Sequence, residues 1–179
     1  MTLRNGLFIR PDDNKGTTPL EARLALAGLF TSFGVIDGGA VTGRSSWAYN
    51  VAPMKVVSSR SATDGAVLFA NDSSAVVGSG GEGTTIPPAP GTGARIDIIF
   101  AKHNDVDNGD ATSAPVFGVA SGTASGSPVA PTIPVGAIEL GRATVAAGAT
   151  NTAHANVTIS SAFRTASLRG AVLPVANIS

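Results

Sequence analysis

The chain has 179 residues, the size of about one domain. Twelve basic and twelve acidic residues cancel, charged residues make up 13% of the chain against about 25% in ordinary soluble domains, and cysteine is absent. Neutrality excludes a strongly basic nucleic-acid surface, missing cysteine excludes disulfides and thiolate metal sites, and an apolar fraction of 43% excludes disorder driven by charge.

Residues 1–10 hold only a short apolar run before Pro11, Asp12 and Asp13, too short for a secretory core. Thr18-Pro19-Leu20-Glu21 is a capping box with proline at the first helical position. It predicts a helix over residues 19–30, with Leu20, Leu24, Ala27 and Phe30 on one face and Glu21 and Arg23 toward solvent. Gly34 is the expected stop, with Gly28 a weak point in the last turn.

Beyond Gly34 the helical period disappears and short strands follow. Residues 51–57 read as extended, and 66–69 and 75–77 are short apolar runs with Asn71-Asp72 suited to a tight turn between them. Residues 95–100 alternate, placing Ile96, Ile98 and Phe100 on one face and Arg95 and Asp97 on the other. Asn108-Gly109 is a strong two-residue hairpin signal, with residues 115–120 as the returning strand. Residues 135–145 give another strand, with Ile138 and Leu140 inward and Glu139 outward, and 155–159 a further one. Two long uncharged stretches, 111–138 and 143–163, are too rich in Pro, Gly, Ser, Thr and Asn to span a membrane. Regularly spaced short strands predict an all-β fold, an antiparallel, jelly-roll-like β-sandwich with a short N-terminal helix and an extended C-terminal tail. One domain is expected: an arm and helix for docking or trimerisation at 1–33, the sandwich at 34–159, and an apolar tail at 160–179 that packs on its own or a neighbouring subunit.

The candidate chemistry is thin. Gly78-Ser79-Gly80-Gly81-Glu82-Gly83 fits a dinucleotide-loop pattern, but Pro87, Pro88 and Pro90 exclude the helix that must follow it, so a loop is expected. Asp105, Asp107 and Asp110 lie in a stretch resembling a calcium loop, yet Gly109 is fifth where an EF-hand has it sixth, and no glutamate stands twelfth. A solvated turn is the preferred reading, with adventitious calcium as the alternative. His103 and His154 belong to no metalloprotease or serine-hydrolase motif. No catalytic residue, cofactor or metal site is assigned. Trp47 and Tyr49 share a strand face by period two. They could stack on a glycan, but filling a core or interface is the favoured role. Arginine outnumbers lysine, and Arg142, Arg164 and Arg169 flank uncharged stretches where they could pair across subunits. With Leu20, Leu24, Phe30, Phe163 and Leu168 they form the candidate subunit interface.

The order of segments carries a resemblance. Gly34-Val35-Ile36-Asp37-Gly38-Gly39-Ala40-Val41-Thr42 leads to Ala94-Arg95-Ile96-Asp97-Ile98-Ile99-Phe100-Ala101. An Asn-Gly turn, a Pro-rich crossing at 127–134 and Gly136-Ala137-Ile138-Glu139-Leu140-Gly141-Arg142-Ala143-Thr144-Val145 follow. This resembles the minor tail, baseplate and fibre-base proteins of tailed bacteriophages, especially long-tailed phages of actinobacteria. The resemblance implies a β-sandwich virion protein of the tail tip or baseplate, made in the host cytoplasm and assembled as a homotrimer. Its implied partners are copies of itself, other tail or baseplate proteins and a host cell-surface glycan, with no nucleic acid and no membrane insertion. No coiled-coil heptads, collagen-like repeats or large distal domain follow, which favours attachment or scaffolding over direct receptor binding. A carbohydrate-binding fibre module and a head decoration or head-fibre protein are the alternatives.

Overall fold

The computed structural model describes residues 16–78, 84–161 and 165–170. The arm before Gly16, residues 79–83, Phe163, Arg164 and the segment 171–179 lie outside the described residues. Helix α1 spans Pro19–Ala27. The Thr18 hydroxyl accepts from the Glu21 amide, and the Glu21 carboxylate accepts from the Thr18 amide at 2.8 Å, closing the expected box. The helix stops at Gly28, sooner than the expected Gly34. Phe30 therefore opens a strand, and Glu21, expected in solvent, is buried by its capping role.

Among the described residues twelve strands follow in chain order: β1 (Phe30–Ser32), β2 (Gly34–Gly38), β3 (Val41–Gly43), β4 (Ala48–Val51), β5 (Met54–Ser58), β6 (Val67–Asn71), β7 (Ala75–Gly78), β8 (Ala94–His103), β9 (Pro115–Ser121), β10 (Ile138–Ala146), β11 (Val157–Ser160) and β12 (Ser167–Leu168). They form an all-β, sandwich-like fold of antiparallel sheets. One layer is the four-stranded sheet β11-β10-β8-β9. The other is divided into β3-β4-β7 and β2-β5-β6.

That division comes from a corner. The run expected as one extended segment over 51–57 breaks at Ala52-Pro53, leaving β4 in one sheet and β5 in the next. Opposite it, Gly38 and Gly39 take positive φ of 71° and 78° between β2 and β3. Backbone pairing continues through the bend: the Gly39 amide donates to Pro53 O at 3.0 Å, and the Ala52 amide to Ala40 O at 2.9 Å. A Cβ on Gly38 would sit 2.0 Å from Pro53 O, so glycine alone fits there. Asn71-Asp72 lies at the matching bend of the third strand. It carries the chain from β6 in one sheet to β7 in the other and closes no hairpin.

The β3-β4-β7 sheet covers the four-stranded one, with β3 beside β11 and β7 beside β9. Between them lies the main core, including Val41, Tyr49, Val51, Val77, Ile86, Ile99, Leu140, Ala143 and Val145. As expected, Ile138 and Leu140 are buried. Strand β8 keeps the expected alternation but is buried on both sides. Asp97, Ile99 and Ala101 alternate together on the core side, while Ile98 and Phe100 are buried on the other side, so neither face meets water. A second, small core of Phe30, Val57 and Ala66 lies outside the β2-β5-β6 sheet, with Leu26, Ala27, Phe33 and Ala166 packed on it. Phe30, expected at a subunit interface, is thus enclosed by its own chain. Residues 167–168 form β12, which pairs with β1, Leu168 opposite Phe30.

Candidate functional site

Three arrangements of side chains stand out, and each is built by residues distant in sequence. The first is buried in the sandwich. Tyr49 on β4 and Asp97 on β8 are both 0% exposed, and Arg95 is 4% exposed. The Tyr49 hydroxyl donates to Asp97 Oδ2 at 3.1 Å, and Arg95 Nε donates to Asp97 Oδ1 at 2.9 Å. Arg95 also donates to the carbonyls of Pro87, at 2.7 Å, and Pro88, and its guanidinium lies 5.8 Å from the centre of the Trp47 ring. Burial, and then the Asp97 charge, push the Tyr49 hydroxyl far above its ordinary value. The network holds the proline-rich segment after residue 83 against the sandwich, where Ile86 is buried. That segment contains no helix, as its prolines predict, while residues 79–83 of the glycine run lie outside the described residues.

The aromatic pair lies at the core, the role favoured from the sequence. Trp47 precedes β4, is half-buried and packs on the core under Arg95, while Tyr49 is fully enclosed. Tyr49 is therefore no glycan platform, because a sugar cannot reach its ring. The expected alternation put Arg95 and Asp97 on one face of the strand but did not show that this face is buried. The signal was present: Asp97 shares its alternation with Ile99 and Ala101, in a strand apolar on both faces.

The second arrangement is the loop after β8. The two-residue hairpin expected at Asn108-Gly109 is absent. Strand β9 does return beside β8, but through a longer loop containing a 3-10 turn, Val106–Asn108, ended by Gly109 at φ +82°. Asp105 pairs with Arg23 of α1 and accepts from the Asp107 amide at 3.0 Å. Asp110 pairs with Arg60 and with Lys102 at 2.7 Å, and accepts from the Asp105 amide at 2.9 Å. The loop resembling a calcium site is thus an internal ion-pair knot that fastens the helix and the 59–65 loop to the sheet. Among the described residues no cluster of three or more metal-ligating side chains occurs. Spacing along the chain could not show Arg23 or Arg60 as partners.

The third arrangement is a pair of cavities along β6. A cleft of about 490 Å³ lies between α1, β6 and the acidic loop, floored by Ala22, Leu26, Ala66 and Leu68 and walled by His103 and Asp107. A pocket of about 250 Å³ lies between β6 and the start of β9. The edge-on contact of Phe69 with His103, 5.7 Å between ring centres, stands between them. His103 Nδ1 donates to Asn104 O at 2.8 Å, and His154 Nδ1 accepts from the Asn156 amide at 3.1 Å. Among the described residues no serine hydroxyl bonds either ring, so the Ser-His geometry of an activated nucleophile is not formed there.

The remaining interface candidates are spread over the molecule. Leu20 and Leu24 are half-buried on α1, Leu168 and Arg169 are exposed near the chain's described end, and Arg142 is paired with Glu139 of its own strand at 2.5 Å. Exposed apolar side chains occur at Leu29, Ile36, Leu68, Val129, Val135 and Leu168. No helix of the described residues is long and apolar enough to cross a membrane. Comparison of the chain with protein-family models, curated proteins and solved structures gives no match.

Proposed function

We propose that this chain is a non-enzymatic structural protein of a tailed-phage virion. It stands at the tail tip or baseplate, assembles as a homotrimer and links the tail to host-attachment parts. The observation that carries the reading is how the few charges are placed. Arg23, Arg60, Arg95, Lys102 and Arg142 are paired within the chain, while Leu29, Leu68, Val129, Val135 and Leu168 project outward. A surface with few free charges and several exposed apolar side chains suits burial against other copies. The resemblance of the segment order to phage tail-tip proteins supports that location.

Light scattering tests the assembly: a trimer at micromolar concentration is expected, and a stable soluble monomer would count decisively against it. Labelling in the assembled particle tests the place, with signal expected at the tail tip. Signal on the capsid would replace this reading with the head-decoration one. The carbohydrate-binding alternative is weakened by the enclosure of Tyr49 and by the Arg95 guanidinium beside the Trp47 ring.

A further inference from the structure

Strand β6 is an edge with a cavity on it. β5 pairs with it from Met54↔Asn71 to Ser58↔Val67, and no described strand pairs with its other side. Because the third bent strand keeps β7 beside β9 and carries β6 away, the sandwich gapes at one end. The gap is the pocket of about 250 Å³, lined by Met54, Phe69, Ala101, Val116 and Phe117, with no charged residue among the described residues that line it. Asn71 sits at its rim: Nδ2 donates to Ser73 O at 2.6 Å, while Oδ1 is out of solvent and accepts no hydrogen bond. On the opposite face of the same strand Leu68 is 53% exposed. An unpaired edge with an apolar pocket on one face and an exposed leucine on the other is suited to strand addition, in which alternate side chains of the guest go to opposite faces.

We infer that this edge receives residues 171–179 of a second copy of the chain, added as a strand; the inference rests on the homo-oligomeric reading above. The segment Ala171-Val172-Leu173-Pro174-Val175-Ala176-Asn177-Ile178-Ser179 has no charged side chain, matching the uncharged pocket. Proline is admissible in a guest strand only where its missing amide hydrogen points to solvent. With Pro174 so placed, the amides of Leu173 and Val175 face β6, and Leu173 and Val175 share one side-chain face. Leu173 then enters the pocket, while Val172 and Pro174 cover Leu68. The route favours a neighbouring copy. The described chain ends beside β1, where the Arg169 amide donates to Leu29 O, and Thr165 bridges to Val35 on β2. β2 and β6 are opposite edges of their sheet. A tail that leaves at one edge and is taken up at the other edge of the next copy makes a head-to-tail contact, the kind that closes into a ring.

The absence of cysteine makes the test direct. Full-length Ala70→Cys is mixed with full-length Val172→Cys or Ala176→Cys and oxidised, Ala70 being exposed on the Leu68 face and the two tail positions flanking Pro174 on theirs. A disulfide-linked pair joining one copy of each variant is expected. In a separate sample Leu173→Asp should weaken self-association by about tenfold or more, as loss of a buried leucine implies. Absence of that mixed pair, with the disulfide forming instead within one chain when both substitutions are placed on it, overturns the inference, as does no disulfide at all. Full association of Leu173→Asp overturns it too while leaving the homotrimer standing. An unsubstituted chain that stays monomeric overturns both.

Discussion

At the residue scale the decisive group is Asp97. A carboxylate with no exposed surface is tolerated because Arg95 and the Tyr49 hydroxyl satisfy both its oxygens. Replacing Asp97 with Ala would leave the Arg95 guanidinium buried without its counter-charge, at a cost of about 3–5 kcal/mol. Urea unfolding of the Asp97→Ala chain should show that loss, and a change under about 1 kcal/mol would mean water reaches Arg95. Tyr49 offers a second check, because it is the only tyrosine and any phenolate absorbance belongs to it. Its folded pKa is raised, so the stability it contributes is present below the ordinary 10.0 and lost as pH rises above that value. Phenolate should therefore emerge together with unfolding on alkaline titration. A phenolate forming near 10 with the native circular dichroism intact would disprove the enclosure.

At the element scale the fold depends on corners and knots more than on strand propensity. Gly38 and Gly39 allow the paired β2–β3 and β4–β5 arms to turn together, and Gly43 lies so close to Thr152 that a Cβ would approach its carbonyl oxygen to 2.2 Å. The loop after β8 is held by charge. At Asp105 burial opposes ionisation, but the bonds from the Asp107 amide, Arg23 and Asn108 outweigh it and hold the carboxyl below its ordinary 3.8. At Asp110 the Lys102 bond, the Asp105 amide and Arg60 act in the same direction. Depressed folded values mean that this stabilisation is present above the ordinary carboxylate value and lost as pH falls through the lower folded one. Acid below about 3.8 should loosen the loop and the docking of α1. The urea midpoint of the native chain should fall over that range, and Asp110→Asn should fall less. Equal acid sensitivity in the two would show that the knot does not anchor the loop.

At the scale of the whole molecule, sparse charge has two consequences. The ion pairs that exist are mostly internal fasteners, and the exposed surface left over is apolar and uncharged at several separate places. That combination is what the proposed assembly uses, with the β6 edge as one of its contacts.

The capping box of α1, the strand character of most of the chain and the inward set of β10 were legible in the sequence, because each depends on neighbours within a few residues. The helix end, the division of 51–57 between two sheets, the burial of Arg95 and Asp97 and the partners of Asp105 and Asp110 were not. Period-two alternation says which residues share a face but not which face is covered. For β8 both faces are covered. Local pattern thus determined what each segment is. Tertiary structure alone decided which charges meet, because Arg23 reaches Asp105, Arg60 reaches Asp110 and Tyr49 reaches Asp97 only when distant segments are packed.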